Sequence, residues 1–275
     1  MPLSYSLADE QEDKTHKAGK PDEADKEEKD EEGATLDFGI GLVYFKAPHY
    51  RGSDQDQDWF LPSPYFRYVS KKMEAEPSYL RGTFYENDKV ALKLSINAGL
   101  AAESDENRAR QGMPDLDWTL EIGPVFIWYI WEAEDESSYL SFEVPIRQVF
   151  ATDFSDTRGI GILMVPFLNW VIRAKPSNYN IHTEITFAYL HATQKYHSYF
   201  YGVDQKFARA GRPAYAASSG NSGVHGTILV KKKFGKFTVA PFIRYDYLKK
   251  AVFADSPLVK RNSYSIFGVL TSYIF

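Results

Sequence analysis

Apolar and polar side chains alternate with a period of two along most of this chain, the pattern of strands whose two faces meet different surroundings. The clearest run is Lys89 to Leu100. Val90, Leu92, Leu94, Ile96, Ala98 and Leu100 share one face, and Lys89, Lys93, Ser95, Asn97 and Gly99 share the other. Similar splits occur in Leu36 to Lys46, Leu140 to Phe150, Ile181 to Tyr189 and Phe237 to Tyr247. The last residues, Ser263 to Phe275, place Phe267, Val269, Thr271, Tyr273 and Phe275 opposite Ile266, Gly268, Leu270, Ser272 and Ile274. Further strand candidates are Trp59 to Val69, Tyr79 to Tyr85, Trp118 to Trp131, Ile160 to Arg173 and Val224 to Lys232.

The connections alternate in length. Glu86-Asn87-Asp88, Glu134 to Ser137, Pro176-Ser177-Asn178 and Phe234-Gly235-Lys236 are short. Ala102 to Leu116, Thr152 to Gly159, Gln194 to Gly223 and Ala254 to Asn262 are longer and polar. Short turns at one end and longer loops at the other are the plan of an outer-membrane β-barrel, with the short turns on the periplasmic side. The expected fold is therefore all-β, a closed antiparallel transmembrane β-barrel. The candidate strands number eleven, whereas a single-chain bacterial barrel carries an even number. A tight turn at Arg81-Gly82 would give twelve strands, the preferred count. Removing Tyr79 to Tyr85 would give ten. Trp59, Tyr68, Trp118, Trp131, Tyr139 and Tyr273 fall near strand ends, where amphipathic rings suit the headgroup level.

Composition agrees with this reading and narrows it. Aromatic residues make up 16% of the 275 residues while mean hydropathy is −0.40, as expected when apolar positions alternate with polar ones. The longest mostly apolar stretch, Gly161 to Ile172, is shorter than the roughly 20 residues a membrane helix requires. There is no cysteine, which excludes disulfides, thiolate catalysis and cysteine-ligated metals. The net charge is −5, yet Asp9 to Glu32 alone holds twelve acidic residues against five lysines. The remainder is nearly neutral and shows no basic stripe for nucleic acid.

Residues 1–8 read as the remnant of a signal peptide through the small-x-small tail Ser6-Leu7-Ala8. An ordinary disordered cytoplasmic start is the alternative, since the apolar core of a signal is missing. Residues 9–33 form an expected disordered acidic periplasmic leader, too poor in apolar side chains to offset its ordering entropy. Residues 34–275 form the barrel, as one domain.

Charged residues on the inward face are Arg67, Arg81, Lys93, Glu121, Glu143, Arg147, His182, Glu184, Arg244 and Asp246. They suit either a lumen filled by compensating ion pairs or a narrow polar pore whose charges tune selectivity. His182 with Glu184 and Glu143 with Arg147 also permit an acid/base reading as a barrel hydrolase, but no nucleophile singles itself out. His182, His191 and His197 lack compact metal-ligand spacing, and there is no phosphate-cradling glycine loop. No catalytic residue, metal or cofactor is assigned. The Gln194 to Gly223 loop gathers Tyr199, Tyr201, Arg209, Arg212 and Tyr215 as candidates for recognition at the outer loops; its alternative is a lid whose aromatics pack on each other.

Several segments resemble the MltA-interacting protein (MipA)/OmpV family of Gram-negative outer-membrane proteins. They are Tyr50-Arg51-Gly52-Ser53, Pro62-Ser63-Pro64-Tyr65-Phe66-Arg67-Tyr68, Gly112-Met113-Pro114-Asp115, Tyr199-Phe200-Tyr201-Gly202-Val203, Arg212-Pro213-Ala214-Tyr215, Asp255-Ser256-Pro257-Leu258-Val259 and the ending from Phe267-Gly268 to Tyr273-Ile274-Phe275. The acidic leader is longer and more charged than that pattern. The resemblance implies a non-enzymatic, monomeric barrel in the outer membrane, in contact with its lipid. It also implies an envelope scaffold linking a lytic transglycosylase to a penicillin-binding protein. A narrow channel for small solutes is the alternative.

Overall fold

In the computed structural model the described residues are 35–69, 73–76, 79–173 and 181–275, with side chains described for 38–62, 83–173 and 181–275. The expected signal remnant and acidic leader, and the Pro176-Ser177-Asn178 turn, lie outside them. The strands are β1 (Thr35–Pro48), β2 (Asp56–Val69), β3 (Met73–Glu76), β4 (Tyr79–Glu86), β5 (Val90–Gly99), β6 (Trp118–Glu132), β7 (Ser138–Thr152), β8 (Thr157–Met164), β9 (Phe167–Arg173), β10 (Ile181–Ala192), β11 (Gly220–Phe234), β12 (Phe237–Tyr247) and β13 (Ser263–Ile274). One helix, α1 (Gln194–Tyr201), and a short 3-10 turn at Gln205–Phe207 lie between β10 and β11.

All pairings are antiparallel and, apart from β7–β9 and β8–β10, connect neighbours in sequence, and β13 pairs in turn with β1, from Gly39 opposite Ile274 to Lys46 opposite Phe267. The pairings thus form a complete circuit. β8 and β9 occupy one position in it, because β7 pairs with β8 through its second half and with β9 through its first. Val165-Pro166 interrupts them; proline has no backbone N–H for the ladder. Counted this way the sheet has twelve strand positions, as the sequence favours. The extra strand is placed differently from the expectation. Arg81-Gly82 is not a turn but sits inside β4, opposite Glu74 and Met73 of β3.

Alternation follows the predicted faces. Phe38, Ile40, Leu42, Leu92, Leu120, Phe126, Ile146, Phe187, Ile243 and Phe267 are exposed on the outside of the ring, while Asn97, Glu121, Glu143, Arg147, Arg244 and Asp246 are buried within it. Trp59 differs from expectation in turning inward to pack on Phe45. Tyr139 lies near the start of β7, as expected, and meets Tyr129 across the β6–β7 register. Trp131 and Tyr273 remain exposed.

The loop ends also depart from a simple picture. The connection expected at Thr152 to Gly159 is only residues 153–156, a tight turn held by Asp153. Its Oδ1 accepts from Asp156 N (2.8 Å), Ser155 N (2.9 Å) and Ser155 Oγ (2.8 Å), which draws the carboxyl down to about 2.

The interior is not uniformly polar. Toward the long-loop end, Phe45, Leu116, Leu229, Phe242, Leu248, Phe253, Leu258 and Ile266 pack as one apolar cluster. Val149, Ile160, Leu163 and Leu190 form a second, against Tyr196 and Phe200 of α1. The period-two rule sorts residues into faces but does not say which loops fold back into the ring; the long loops supply Leu116, Phe253 and Leu258.

A single glycine allows α1 to lie against β8. Gly161 has φ +124°, and a Cβ there would stand 2.4 Å from Thr193 Oγ1 and 2.8 Å from Tyr196 N. Thr193 fixes the helix start by accepting from Ile162 N through its hydroxyl and donating its own N–H to Ile162 O, each at 3.0 Å. Gly161→Val is expected to lower unfolding free energy by about 1–3 kcal/mol, the usual range for overpacking. Equilibrium urea unfolding in lipid vesicles measures it, and an unchanged midpoint contradicts this packing account.

Candidate functional site

The inner face carries ion pairs near the short turns, beside a small apolar cluster of Ala91, Val125 and Ile127, and loop contacts near the long loops. At the short-turn end Lys93 Nζ meets Glu86 Oε1 at 2.7 Å. His182 Nε2 lies 2.9 Å from Glu184 Oε1, and Ser141 Oγ donates to Glu143 Oε1 at 3.1 Å. Strand alternation accounts for the last two placements, since 182 and 184, or 141 and 143, are two apart and point the same way; Lys93 meets Glu86 across the β4–β5 pair. Arg67 and Arg81 belong to the same expected set, but their side chains lie outside the described residues.

Deeper in, Glu121 of β6 holds two partners on adjacent strands. Arg147 Nη1 donates to it at 3.2 Å and Asn97 Nδ2 at 3.3 Å, while Arg147 Nε donates to Ser95 Oγ at 2.9 Å. On the opposite arc Asp246 accepts from Arg244 Nε (2.6 Å) and Nη2 (2.9 Å) and from Arg51 Nε (2.9 Å). Arg51 Nη1 also donates to Ser222 O at 2.8 Å. Burial pulls the Arg51 guanidinium down, but Asp246 more than offsets it and keeps the group charged. Glu143 and Arg147, a candidate acid/base pair on sequence, therefore have separate partners: Ser141 for one, Ser95 and Glu121 for the other.

The long-loop half is built from four loops tied by hydrogen bonds. Arg212 donates to Phe207 O (3.1 and 2.8 Å), Ala109 O (3.0 Å) and Gln111 O (2.9 Å). Arg110 reaches Phe200 O and Pro114 O, Tyr215 donates to Val252 O, and Tyr50 donates to Leu258 O at 2.7 Å. Within α1, Tyr201 stacks on Phe253 with ring centroids 3.6 Å apart, and Ser256 Oγ donates to Tyr201 O. Burial pushes the Tyr199 phenol up to about 12 and the Tyr201 phenol higher still, so both remain neutral.

Of the five loop residues singled out from sequence, Tyr201 and Arg212 are thus buried in loop-to-loop contacts, and Tyr199 and Tyr215 are half-buried. Arg209 is exposed and donates to Arg108 O at 3.1 Å. Sequence reasoning gave no role to Arg51 or Ser222. Arg51 falls in a conspicuous Tyr-Arg-Gly-Ser run, but its partners are 171 and 195 residues away. His197, set aside as a metal ligand, is fully buried. Its Nδ1 lies 2.6 Å from Ser218 O and its Nε2 2.6 Å from Ser222 Oγ. Among the described residues no cluster of His, Asp and Glu is arranged to hold a metal.

Burial lowers the His197 pKa below the usual 6.5; Arg51 and His191 act in the same direction, against the hydrogen bond to Ser218. The unfolded loop binds a proton near 6.5 and the folded one resists it, so this contribution is complete above that value and is lost as pH falls below it. Loop proteolysis should accordingly accelerate on acidification from about pH 8 to pH 5. The same acceleration in His197→Gln contradicts the assignment.

The family model described as "MltA-interacting protein MipA" matches residues 40–275, and the chain belongs to that family. No curated protein sequence matches it. Among solved structures, a NanC porin aligns over 87% of this chain and 99% of its own at 8% identity and TM-score 0.38. Pseudomonas putida OprB aligns over 79% of this chain and 60% of its own at 9% identity and TM-score 0.40. The Pseudomonas putida toluene transporter TodX aligns over 88% and 89% at 8% identity and TM-score 0.34.

Proposed function

We propose that this chain is a closed β-barrel of the Gram-negative outer membrane, acting as a non-enzymatic envelope scaffold for murein-remodelling enzymes. The exposed apolar band supports the membrane setting. Side chains such as Phe38, Phe60, Phe126, Trp128, Phe187 and Phe267 are 44–65% exposed, and such a band around a ring of strands is what acyl chains would cover. Strands of up to 15 residues exceed the 9–11 needed to cross tilted.

The loop plug carries the choice between scaffold and channel. Guanidinium and hydroxyl bonds tie four loops across one end, over apolar clusters. This favours a sealed barrel over a narrow channel for small solutes. The family's name indicates interaction with the transglycosylase MltA, and the same class of partner is inferred here. A lytic transglycosylase would dock on the short-turn end, in the periplasm, with a penicillin-binding protein as the further partner in the scaffold.

Purified protein should capture a lytic transglycosylase, and shortening the turns at 87–89, 133–137 and 235–236 should abolish capture. Capture that survives loss of those turns and of residues 9–33 contradicts the proposed docking end. Planar-bilayer recording should show no stable conductance, whereas ohmic steps would favour the channel.

A further inference from the structure

Lys231-Lys232-Lys233-Phe234-Gly235-Lys236 closes β11 and turns into β12 with four lysines and no acid. The other described short turns have the opposite sign. Glu132, Glu134, Asp135 and Glu136 line the β6–β7 turn, all exposed, and Glu86-Asn87-Asp88-Lys89 between β4 and β5 is net acidic. Register sets the basic stretch beside a row of exposed apolar side chains. Phe234 lies opposite Phe237, Phe237 opposite Tyr273 and Tyr273 opposite Ile40, so the row crosses four strands at one height. The Phe275 ring adjoins it, 5.9 Å from that of Tyr273. Aromatic rings in such a position suit the headgroup level of a bilayer.

Lys232 shares the outward face of β11 with the exposed Ile228 and Val230. Its backbone lies two residues from Phe234 on the side away from the turn, about 7 Å along the strand. Its Nζ nonetheless stands 5.0 Å from the centroid of the Phe234 ring. The stem thus runs along apolar surface and carries the ammonium toward the row, the way a lysine on a lipid-facing strand reaches the headgroups. Lys236 is exposed in the turn just beyond the row. Among the described residues neither Lys232 nor Lys236 has a carboxylate partner.

We propose that Lys232 and Lys236, with Phe234, Phe237 and Tyr273, form a binding site for an anionic phospholipid in the leaflet at the short-turn end. The two ammonium groups hold the headgroup phosphate, and the aromatic row packs against the glycerol and the start of the acyl chains. The acids of the β6–β7 turn repel the same lipid, so it gathers on one arc of the barrel. A lipid fits better than the acidic segment 9–33, because Lys232 reaches the row from the outer, apolar face of the wall. This inference rests on the membrane setting proposed above and does not require the scaffold role.

The full chain, reconstituted in phosphatidylcholine with a minor share of phosphatidylglycerol, tests the site when one lipid or the other is brominated on its tails. A fluorophore at Val239→Cys reports on it, since Val239 lies opposite Lys232. Per molecule, brominated phosphatidylglycerol should quench it about fivefold or more better than brominated phosphatidylcholine, the factor one lysine supplies at an anionic surface. Lys232→Gln with Lys236→Gln should remove the preference, and so should salt at about 0.5 M in the unsubstituted protein. A fluorophore at Ile130→Cys, near the acidic turn, should show no preference. Equal quenching by both lipids at position 239 overturns the proposal and leaves the membrane setting intact. Absence of quenching by either lipid overturns that setting and the proposal with it. A preference that emerges only when the acids of residues 22–32 are replaced by their amides assigns the turn to that segment, and also overturns the proposal.

Discussion

The pairing of β13 with β1 is the constraint on which the other features depend. It joins the last strand to the first over eight registered residue pairs, so neither of these strands presents an open ladder edge. In a hydrocarbon setting an unpaired backbone N–H or C=O is costly, and a sheet survives there only when its edges meet. The circuit also gives the sheet an inside and an outside, which turns simple alternation into two chemically different surfaces. Gly39 serves this junction, since a Cβ at that position would come within 2.1 Å of Tyr273 O.

With those surfaces defined, the interior must dispose of its charges. It does so by local sharing. Glu121 serves Arg147 and Asn97, and Asp246 serves Arg244 and Arg51. Removing one partner of such a group leaves a buried charge uncompensated, which costs more than the pair contributes. The loops then close one end through guanidinium contacts to backbone carbonyls, a bonding mode that fits irregular backbone because it depends on carbonyl position rather than side-chain identity. Together these contacts support the proposed scaffold: the interior is occupied with holding itself together, and the outer face and the turns remain for lipid and partners.

Much of the wall was legible in the sequence because a period of two depends only on local geometry. The inward set Lys93, Glu121, Glu143, Arg147, His182, Glu184, Arg244 and Asp246 follows from parity alone; Glu121, Glu143, Arg147, Arg244 and Asp246 are buried, and Lys93, His182 and Glu184 partly so. The plug was less legible. Arg51 and Ser222 meet only after the circuit forms, and Trp59 turns inward because Phe45 and the loops offer it an apolar surface. The short strand β3 was missed because four residues carry too little alternation to separate from a turn. The split between β8 and β9 was hidden inside one apolar run, although Pro166 is its physical signal.

In a membrane barrel, alternate residues of each strand face acyl chains. The chain contains no cysteine, so single replacements along β6 report position without background. Fluorophores attached at Phe126→Cys and Trp128→Cys in reconstituted protein should be quenched by lipids brominated on their tails, while those at Val125→Cys and Ile127→Cys should not. Quenching that shows no alternation between neighbours, or that favours 125 and 127, would contradict the account.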